Sequence, residues 1–162
     1  MTLVIIGIIL LGFFTLAYVT KRRFGVLGLG LAAGMLLAQH ASKTLAEFFV
    51  LNSVPVAPFT PLVLATVVLT LLPALLLLIG GPVYSKKLPT IIGAVGFGLL
   101  ATLLVLGPLT MALPTEDATI RQLLAVIADY ESGIITAAIA VAVVDTILQH
   151  SKKAAPEKAG KH

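Results

Sequence analysis

The chain has 162 residues, of which 59% are hydrophobic and only 11% are charged, and its mean hydropathy is +1.10. Soluble globular domains carry about 25% charged residues, so this composition excludes an ordinary soluble domain and indicates an integral membrane protein. The absence of cysteine excludes disulfides, thiolate zinc sites and iron–sulfur clusters. The net charge is +4, and the basic side chains lie beside apolar segments, which indicates a role in membrane topology rather than in nucleic-acid binding.

The first apolar segment predicts a membrane helix over residues 2–20. A cleaved signal peptide has its positive charges in front of the apolar segment, whereas Lys21, Arg22 and Arg23 follow this one. We therefore expect a retained helix whose C-terminal end faces the cytoplasm.

The second helix is predicted over residues 24–46, and it begins with a glycine-rich apolar run. Gln39, Lys43 and Glu47 repeat every four residues and so share one face of a helix. We expect this end to be amphipathic and to lie at the membrane interface. Three prolines in residues 52–61 then predict a stiff, non-helical connector.

The third segment, residues 61–80, has no charge, and its only polar side chains are Thr66 and Thr70. A helix of about 20 uncharged residues matches the ~30 Å hydrocarbon core of a bilayer. Pro73 lies inside the segment, which predicts a kink and a candidate hinge. We expect the hydroxyl of Thr70 to bond a carbonyl that the proline leaves unpaired.

The last third of the chain predicts two further spans, over residues 90–113 and 132–149. Between them, residues 120–129 are apolar on one side only, which predicts a separate amphipathic helix on the membrane surface. Residues 151–162 are basic and predict a disordered cytoplasmic tail. The predicted fold class is therefore all-α: a polytopic transmembrane helix bundle with five spans and amphipathic interfacial segments, forming one domain over residues 1–150.

The positive charges predict the orientation of the bundle. Five spans with the N-terminus outside place nine of the eleven basic residues in the cytoplasm, in line with the positive-inside rule. These nine are Lys21, Arg22, Arg23, Lys86, Lys87, Lys152, Lys153, Lys158 and Lys161. We therefore expect a protein of the cell's inner membrane with a cytoplasmic C-terminus.

Asp145 is the one ionisable side chain well inside a predicted span. A carboxylate in hydrocarbon costs ~2.5–3.5 kcal/mol, so an intramembrane acid is a candidate ion or proton site. A second interpretation is that Asp145, about one turn from the basic tail, reaches the interface and pairs with Lys152 or His150.

The remaining candidate chemical groups do not form a recognisable site. His40 lies near Gln39 and Glu47, but a metal site needs three or four ligands and the sequence offers no such set. Ser85 and Ser132 have no histidine–acid pair that the sequence places beside them. We expect no enzymatic activity, no metal and no cofactor.

Small residues at four-residue spacing predict close helix contacts in three of the helices. Such contacts form within one bundle, between copies of the chain or with partner membrane proteins, and the sequence leaves these alternatives open. The predicted packing residues are Gly30, Gly34, Ala94, Gly98, Thr136 and Ala140.

The order of these features resembles the colicin V production (CvpA) family of small bacterial inner-membrane proteins. The resemblance covers residues 1–113. It lies in the apolar first helix, the run KRRFGVLGLGLAAG, the amphipathic continuation ASKTLAEFF and the glycine-rich fourth helix PTIIGAVGFGLLATLLVLGPL. It implies a non-enzymatic membrane factor linked to export or envelope maintenance, with no catalytic residues to carry over.

Three functions stand as hypotheses. The first is a non-catalytic protein of the lipid bilayer that acts through helix packing with itself, as a homo-oligomer, or with other membrane proteins. The alternative is a channel or transporter subunit with Asp145 as an ion or proton site and Pro73 as a hinge. The third is recognition of anionic lipid by the basic tail. The sequence identifies no small-molecule substrate.

Overall fold

The computed structural model describes residues 2–57, 59–84, 87–112 and 118–154. They form five α-helices: α1 (Thr2–Thr20), α2 (Phe24–Leu51), α3 (Pro61–Gly80), α4 (Lys87–Ala112) and α5 (Ala118–Ala154). No strand occurs among these residues, so the predicted all-α class is confirmed for the described part of the chain.

Three of the helices are long and apolar enough to cross a membrane, namely α2, α3 and, over Lys87–Thr110, α4. The apolar stretches Val4–Thr20 of α1 and Ser132–Ile147 of α5 are shorter. The outside of the bundle is also apolar: Ile79, Leu88 and Ile92 are 79%, 73% and 71% exposed. Such a surface suits contact with lipid tails rather than with water.

The start of α3 shows how the sequence sets a helix boundary. Thr60 is the N-cap, and its hydroxyl oxygen accepts a hydrogen bond from the backbone N–H of Val63 at 3.3 Å. Pro61 follows at the first helical position, where its missing N–H costs nothing. The bounds predicted for the third helix, 61–80, are confirmed.

Helix α3 continues through Pro73 without interruption. The Thr70 hydroxyl donates to the Thr66 carbonyl at 2.8 Å. The carbonyl that Pro73 leaves unpaired is that of Leu69, four residues earlier, so the predicted partner of Thr70 is wrong. The Leu69 oxygen instead lies against Gly34 of α2, where a Cβ would be 2.9 Å away. A hinge at Pro73 stays a prediction.

Helix α5 differs from its prediction. A surface helix over 120–129 and a span over 132–149 were expected to be separate, but α5 is one continuous helix of 37 residues. At 1.5 Å per residue it is about 55 Å long. The helix is not interrupted at Asp129 and Glu131, which lie at the junction of the two predicted segments, because acidic residues lower helix propensity by less than about 0.7 kcal/mol each and no proline lies in α5. The helix also passes residue 151 and ends at Ala154, and residues 155–162 of the predicted tail lie outside the described residues.

The core lies where α4 and α2 meet. Phe97, Leu27, Leu31 and Leu100 are its largest fully buried side chains. The ring of Phe13 from α1 packs edge-on against Phe97, with centroids 6.1 Å apart. Helix α2 packs most extensively against α3, α1 packs against α4, and α5 packs mainly against α2. Consequently α1 and α5 are peripheral helices with one main neighbour each.

Candidate functional site

Two interhelical connections meet at one end of the bundle, which we call the basic end. Arg22 pairs with Val83 in an antiparallel bridge, and the backbone N–H of Tyr84 donates to the carbonyl of Lys21 at 2.8 Å. The α1–α2 and α3–α4 connections therefore lie side by side. The basic end comprises Lys21, Arg22, Arg23, Val83, Tyr84 and Asp145.

The two arginines of this end bind backbone and aromatic groups. The Nε and Nη2 atoms of Arg22 donate to the carbonyls of Leu78 and Ile79 at 2.8 and 2.6 Å. These carbonyls lie in the last turn of α3, which carries the negative end of the helix dipole, so the positive charge stabilises it. The guanidinium of Arg23 lies 5.4 Å from the ring centroid of Tyr84, within cation–π range.

The first turn of α2 is capped by residues distant in sequence. Arg23 occupies the N-cap position, and its own side chain makes no capping bond. The N–H of Phe24 donates to the Tyr84 hydroxyl at 3.2 Å, and the N–H of Gly25 donates to Oδ2 of Asp145 at 3.0 Å. The Tyr84 hydroxyl also lies 3.5 Å from the same Oδ2. A carboxylate from α5 thus stabilises the positive end of the α2 dipole.

Gly25 is required for this approach of α5. A Cβ at residue 25 would lie 2.7 Å from Oδ2 of Asp145, 2.7 Å from the hydroxyl of Thr146 and 2.8 Å from the carbonyl oxygen of Ala142. One turn further along α2, a Cβ at Gly28 would lie 2.9 Å from the Cβ of Ala142. The absence of side chains at these two glycines therefore lets α5 pack closely against α2.

Tyr84 is held as a neutral donor in this cluster. Burial raises the pKa of its hydroxyl above the usual value of 10.0, and the carboxylate of Asp145 acts in the same direction, against the lowering effects of the Phe24 N–H and Arg23. The ring lies against Gly93 of α4, where a Cβ would be 2.7 Å from Cε2. Tyr84 therefore stays protonated at neutral pH and is available to donate to Asp145.

The contacts of Asp145 with the Gly25 N–H and the Tyr84 hydroxyl are those of a capping group. The partners predicted for Asp145 are Lys152 and His150, and the structure does not describe their side chains. Across the described part of the chain, no group of three or more His, Cys, Asp or Glu residues is arranged to hold a metal ion. An ion or proton site at Asp145 stays a prediction.

The predicted packing residues of α2 lie against α3. A Cβ at Gly30 would be 3.0 Å from the Cα of Ala74, and a Cβ at Gly34 would overlap the carbonyl of Thr70. Backbone-to-backbone contact of this kind is available only to the smallest residue. Both glycines therefore serve packing within the protomer.

The predicted packing residues of α4 also point into the bundle. Ala94 is 1% exposed, and a Cβ at Gly98 would lie 3.3 Å from the backbone nitrogen of Phe14 in α1. Gly98 therefore allows close contact between α4 and α1.

The small residues of α5 are arranged differently. Ile135 and Ala142 face the bundle and are 7% and 0% exposed, whereas Thr136 and Ala140 are exposed. The Thr136 hydroxyl donates to the carbonyl of Ser132 at 2.7 Å, so its polar group is satisfied inside the helix. We call one stripe of the exposed residues the α5 outer face; it consists of Gly133, Thr136, Ala140, Val144 and Ile147.

Comparison with family models, with curated protein sequences and with solved structures finds no match to this chain. The resemblance to the CvpA family therefore stays a prediction, and function is inferred from geometry alone.

Sequence reasoning missed Tyr84, Gly25 and the role of Arg22. The bonds of Tyr84 and Asp145 to the start of α2 join residues 60 and 120 positions apart, beyond the reach of any local pattern. The one available signal is Gly25, two residues after the basic run, at a helix start where small or capping residues are preferred.

Proposed function

We propose that this protein is a non-catalytic integral membrane protein with five membrane-spanning helices that acts by helix packing, through the α5 outer face, with other copies of itself or with partner membrane proteins. One observation carries the proposal: the predicted packing residues of α2 and α4 pack inside the protomer, whereas Thr136 and Ala140, those predicted for α5, are exposed. In lipid, exposed small residues in a row let two helices approach closely, and dispersion contacts then hold them.

The positions of the helix ends support the five-span count. Lys21, directly after α1, and Asp145, nine residues before the end of α5, both lie at the basic end. Helix α1 has 19 residues and is about 28 Å long, close to the ~30 Å hydrocarbon thickness. From Ala118 to Asp145, α5 covers about 40 Å, which exceeds that thickness.

The clustering of Lys21, Arg22 and Arg23 at the basic end supports a cytoplasmic location for this end in the inner membrane, with the N-terminus outside. A packing protein of this type fits the role in export or envelope maintenance that the CvpA resemblance implies. Its immediate partners are the lipid bilayer and helices presented by other membrane proteins.

Cysteine crosslinking tests the proposal, because the chain has no native cysteine. Ala140→Cys places a thiol at the centre of the α5 outer face, and oxidation in native membranes is expected to give a disulfide-linked dimer or a crosslink to a partner. Val141→Cys is the matched control, since Val141 is also exposed (57%) but is rotated by about 100° around the helix.

The two variants together decide the outcome. Strong crosslinking at residue 140 and weak crosslinking at residue 141 support packing through the outer face. Equal yields at both residues indicate random collision in the membrane and contradict the proposal. Ala140→Leu provides a second measurement: the bulkier side chain is expected to separate the helices and lower the assembled fraction in mild detergent.

A further inference from the structure

A second surface of interest is the α1–α4 groove, an open apolar hollow of about 310 Å³. It is lined by Gly7, Leu10, Leu11, Phe14, Val95 and Leu99. Its volume is at the lower end of the ~300–1,000 Å³ typical of ligand sites, and its lining is almost entirely hydrocarbon. The groove is therefore suited to a flexible apolar chain.

The groove exists because α1 and α4 touch at one level and separate at another. At Gly98 a Cβ would lie 3.3 Å from the backbone of Phe14, so the two helices are in contact there. At Gly7 a Cβ would meet nothing within 4 Å, so the gap is open. In a membrane, a gap lined by hydrocarbon is filled by whatever apolar chain is available.

One end of the groove lies toward the end of α1 that precedes a positive charge. Gly7, Leu11 and Phe14 line the groove at helical spacing on one stripe of α1, which ends at Thr20, directly before Lys21. At 1.5 Å per residue, Lys21 lies about 10 Å from Phe14 and about 20 Å from Gly7 along the helix axis. One leaflet of the hydrocarbon core is about 15 Å thick, so a lipid with its headgroup beside Lys21 extends its acyl chain into the groove.

Each of the two helices that form the groove has a lysine at the same end of the bundle. Lys21 directly follows α1, Lys87 is the first residue of α4, and both are exposed. Arg22 and Arg23 lie beside Lys21, each fixed through a backbone carbonyl by its Nε atom. Basic residues at a membrane surface attract anionic headgroups with about 1 kcal/mol each.

We propose that the α1–α4 groove binds one acyl chain of an anionic phospholipid whose phosphate headgroup lies against Lys21 and Lys87. The inference depends on α1 being embedded in the membrane, as in the proposed function, but it does not depend on the α5 outer face. Helix α1 has one main packing neighbour in the protein, and a bound lipid would be its second.

Lipid retention by the purified full-length protein tests the site. The protein in mild detergent is mixed with phosphatidylglycerol or phosphatidylcholine, and retained lipid is counted by native mass spectrometry. Gly7→Leu fills the groove and is expected to lower phosphatidylglycerol retention about tenfold, because roughly two buried methylene contacts are lost. Gly12→Leu is the matched control, since residue 12 is also a glycine of α1 with nothing within 4 Å of its Cβ position, and it is expected to retain lipid like the wild type.

The headgroup is tested separately with Lys21→Asn. Lys21 has φ of 51°, a left-handed conformation that asparagine tolerates, so the charge is removed with little backbone strain. Retention of phosphatidylglycerol is expected to fall about fivefold, with phosphatidylcholine unchanged.

Three results would overturn the proposal: equal retention by Gly7→Leu and Gly12→Leu, equal retention of the two lipids by the wild-type protein, or a change of oligomeric state in Gly7→Leu, which would show that a second protein helix occupies the groove. Loss of the α5 crosslink with normal lipid retention would contradict only the proposed function.

Discussion

Gly25 is a residue at which α2 and α5 are in close contact. Replacing it by alanine inserts a Cβ into contacts of 2.7–2.8 Å with Asp145, Thr146 and the backbone of Ala142. Overpacking of this kind costs about 1–3 kcal/mol, so we expect Gly25→Ala to lower the free energy of unfolding by that amount. The measurement is denaturation in mixed micelles.

Gly12→Ala is the control for this prediction. Residue 12 lies in α1 with open space around its Cβ position, so the substitution is expected to be neutral or to stabilise by about 0.5–1 kcal/mol, since alanine is the better helix former. Equal effects of the two substitutions would show that the contact at Gly25 does not limit stability.

Asp145 tests whether a cap or a charge is needed at the start of α2. Asp145→Ala removes the acceptor for the Gly25 N–H and is expected to cost about 1 kcal/mol, the usual value of an N-cap. Asp145→Asn keeps an oxygen at the same position and is expected to cost less. Unfolding of both variants against the wild type measures the difference.

The same Asp145→Asn variant separates the two functional hypotheses. We expect unchanged assembly and no change in any ion flux through reconstituted vesicles. A lost conductance or uptake with assembly intact would instead establish Asp145 as a transport residue.

At the scale of elements, the length of α5 has a consequence for its position in the membrane. Asp145 lies at the basic end, and Ala118 is about 40 Å away along the helix, so the first turns extend about 10 Å beyond a ~30 Å hydrocarbon core. We expect Gln122→Cys to react with a water-soluble maleimide and Ala137→Cys to be protected. Both side chains are exposed in the isolated protomer, so equal labelling would show that α5 does not cross the membrane.

Some elements could be predicted from local sequence and others could not. Helix α3 was predicted to the residue because Thr60 and Pro61 define its start and Gly80–Gly81 its end. The predicted division of α5 into two helices is wrong because a helical backbone tolerates the charged residues at their junction. The cap by Asp145 needed knowledge of which helices are neighbours, and a hydropathy pattern does not contain that information.

At the scale of the whole molecule, the alternation of helix ends predicts which loops share a side of the membrane. Single cysteines at Ser85 and Ser151 are expected to label only after the membrane is opened, and cysteines at Ser53 and Thr119 are expected to label in intact cells. The absence of native cysteine leaves no background for this measurement. Labelling of positions 85 and 151 from opposite sides would contradict the five-span topology.

The cap on α2 also bears on the order of biosynthesis. Residue 145 leaves the ribosome 120 residues after residue 25, so the opening turn of α2 enters the bilayer while its carboxylate partner has not yet been made. Water or lipid headgroups must satisfy those backbone amides until the fifth helix arrives. Maturation therefore has a late step in which α5 docks against α2. A nascent chain arrested before α5 emerges would have an α2 whose first turn lacks its carboxylate cap.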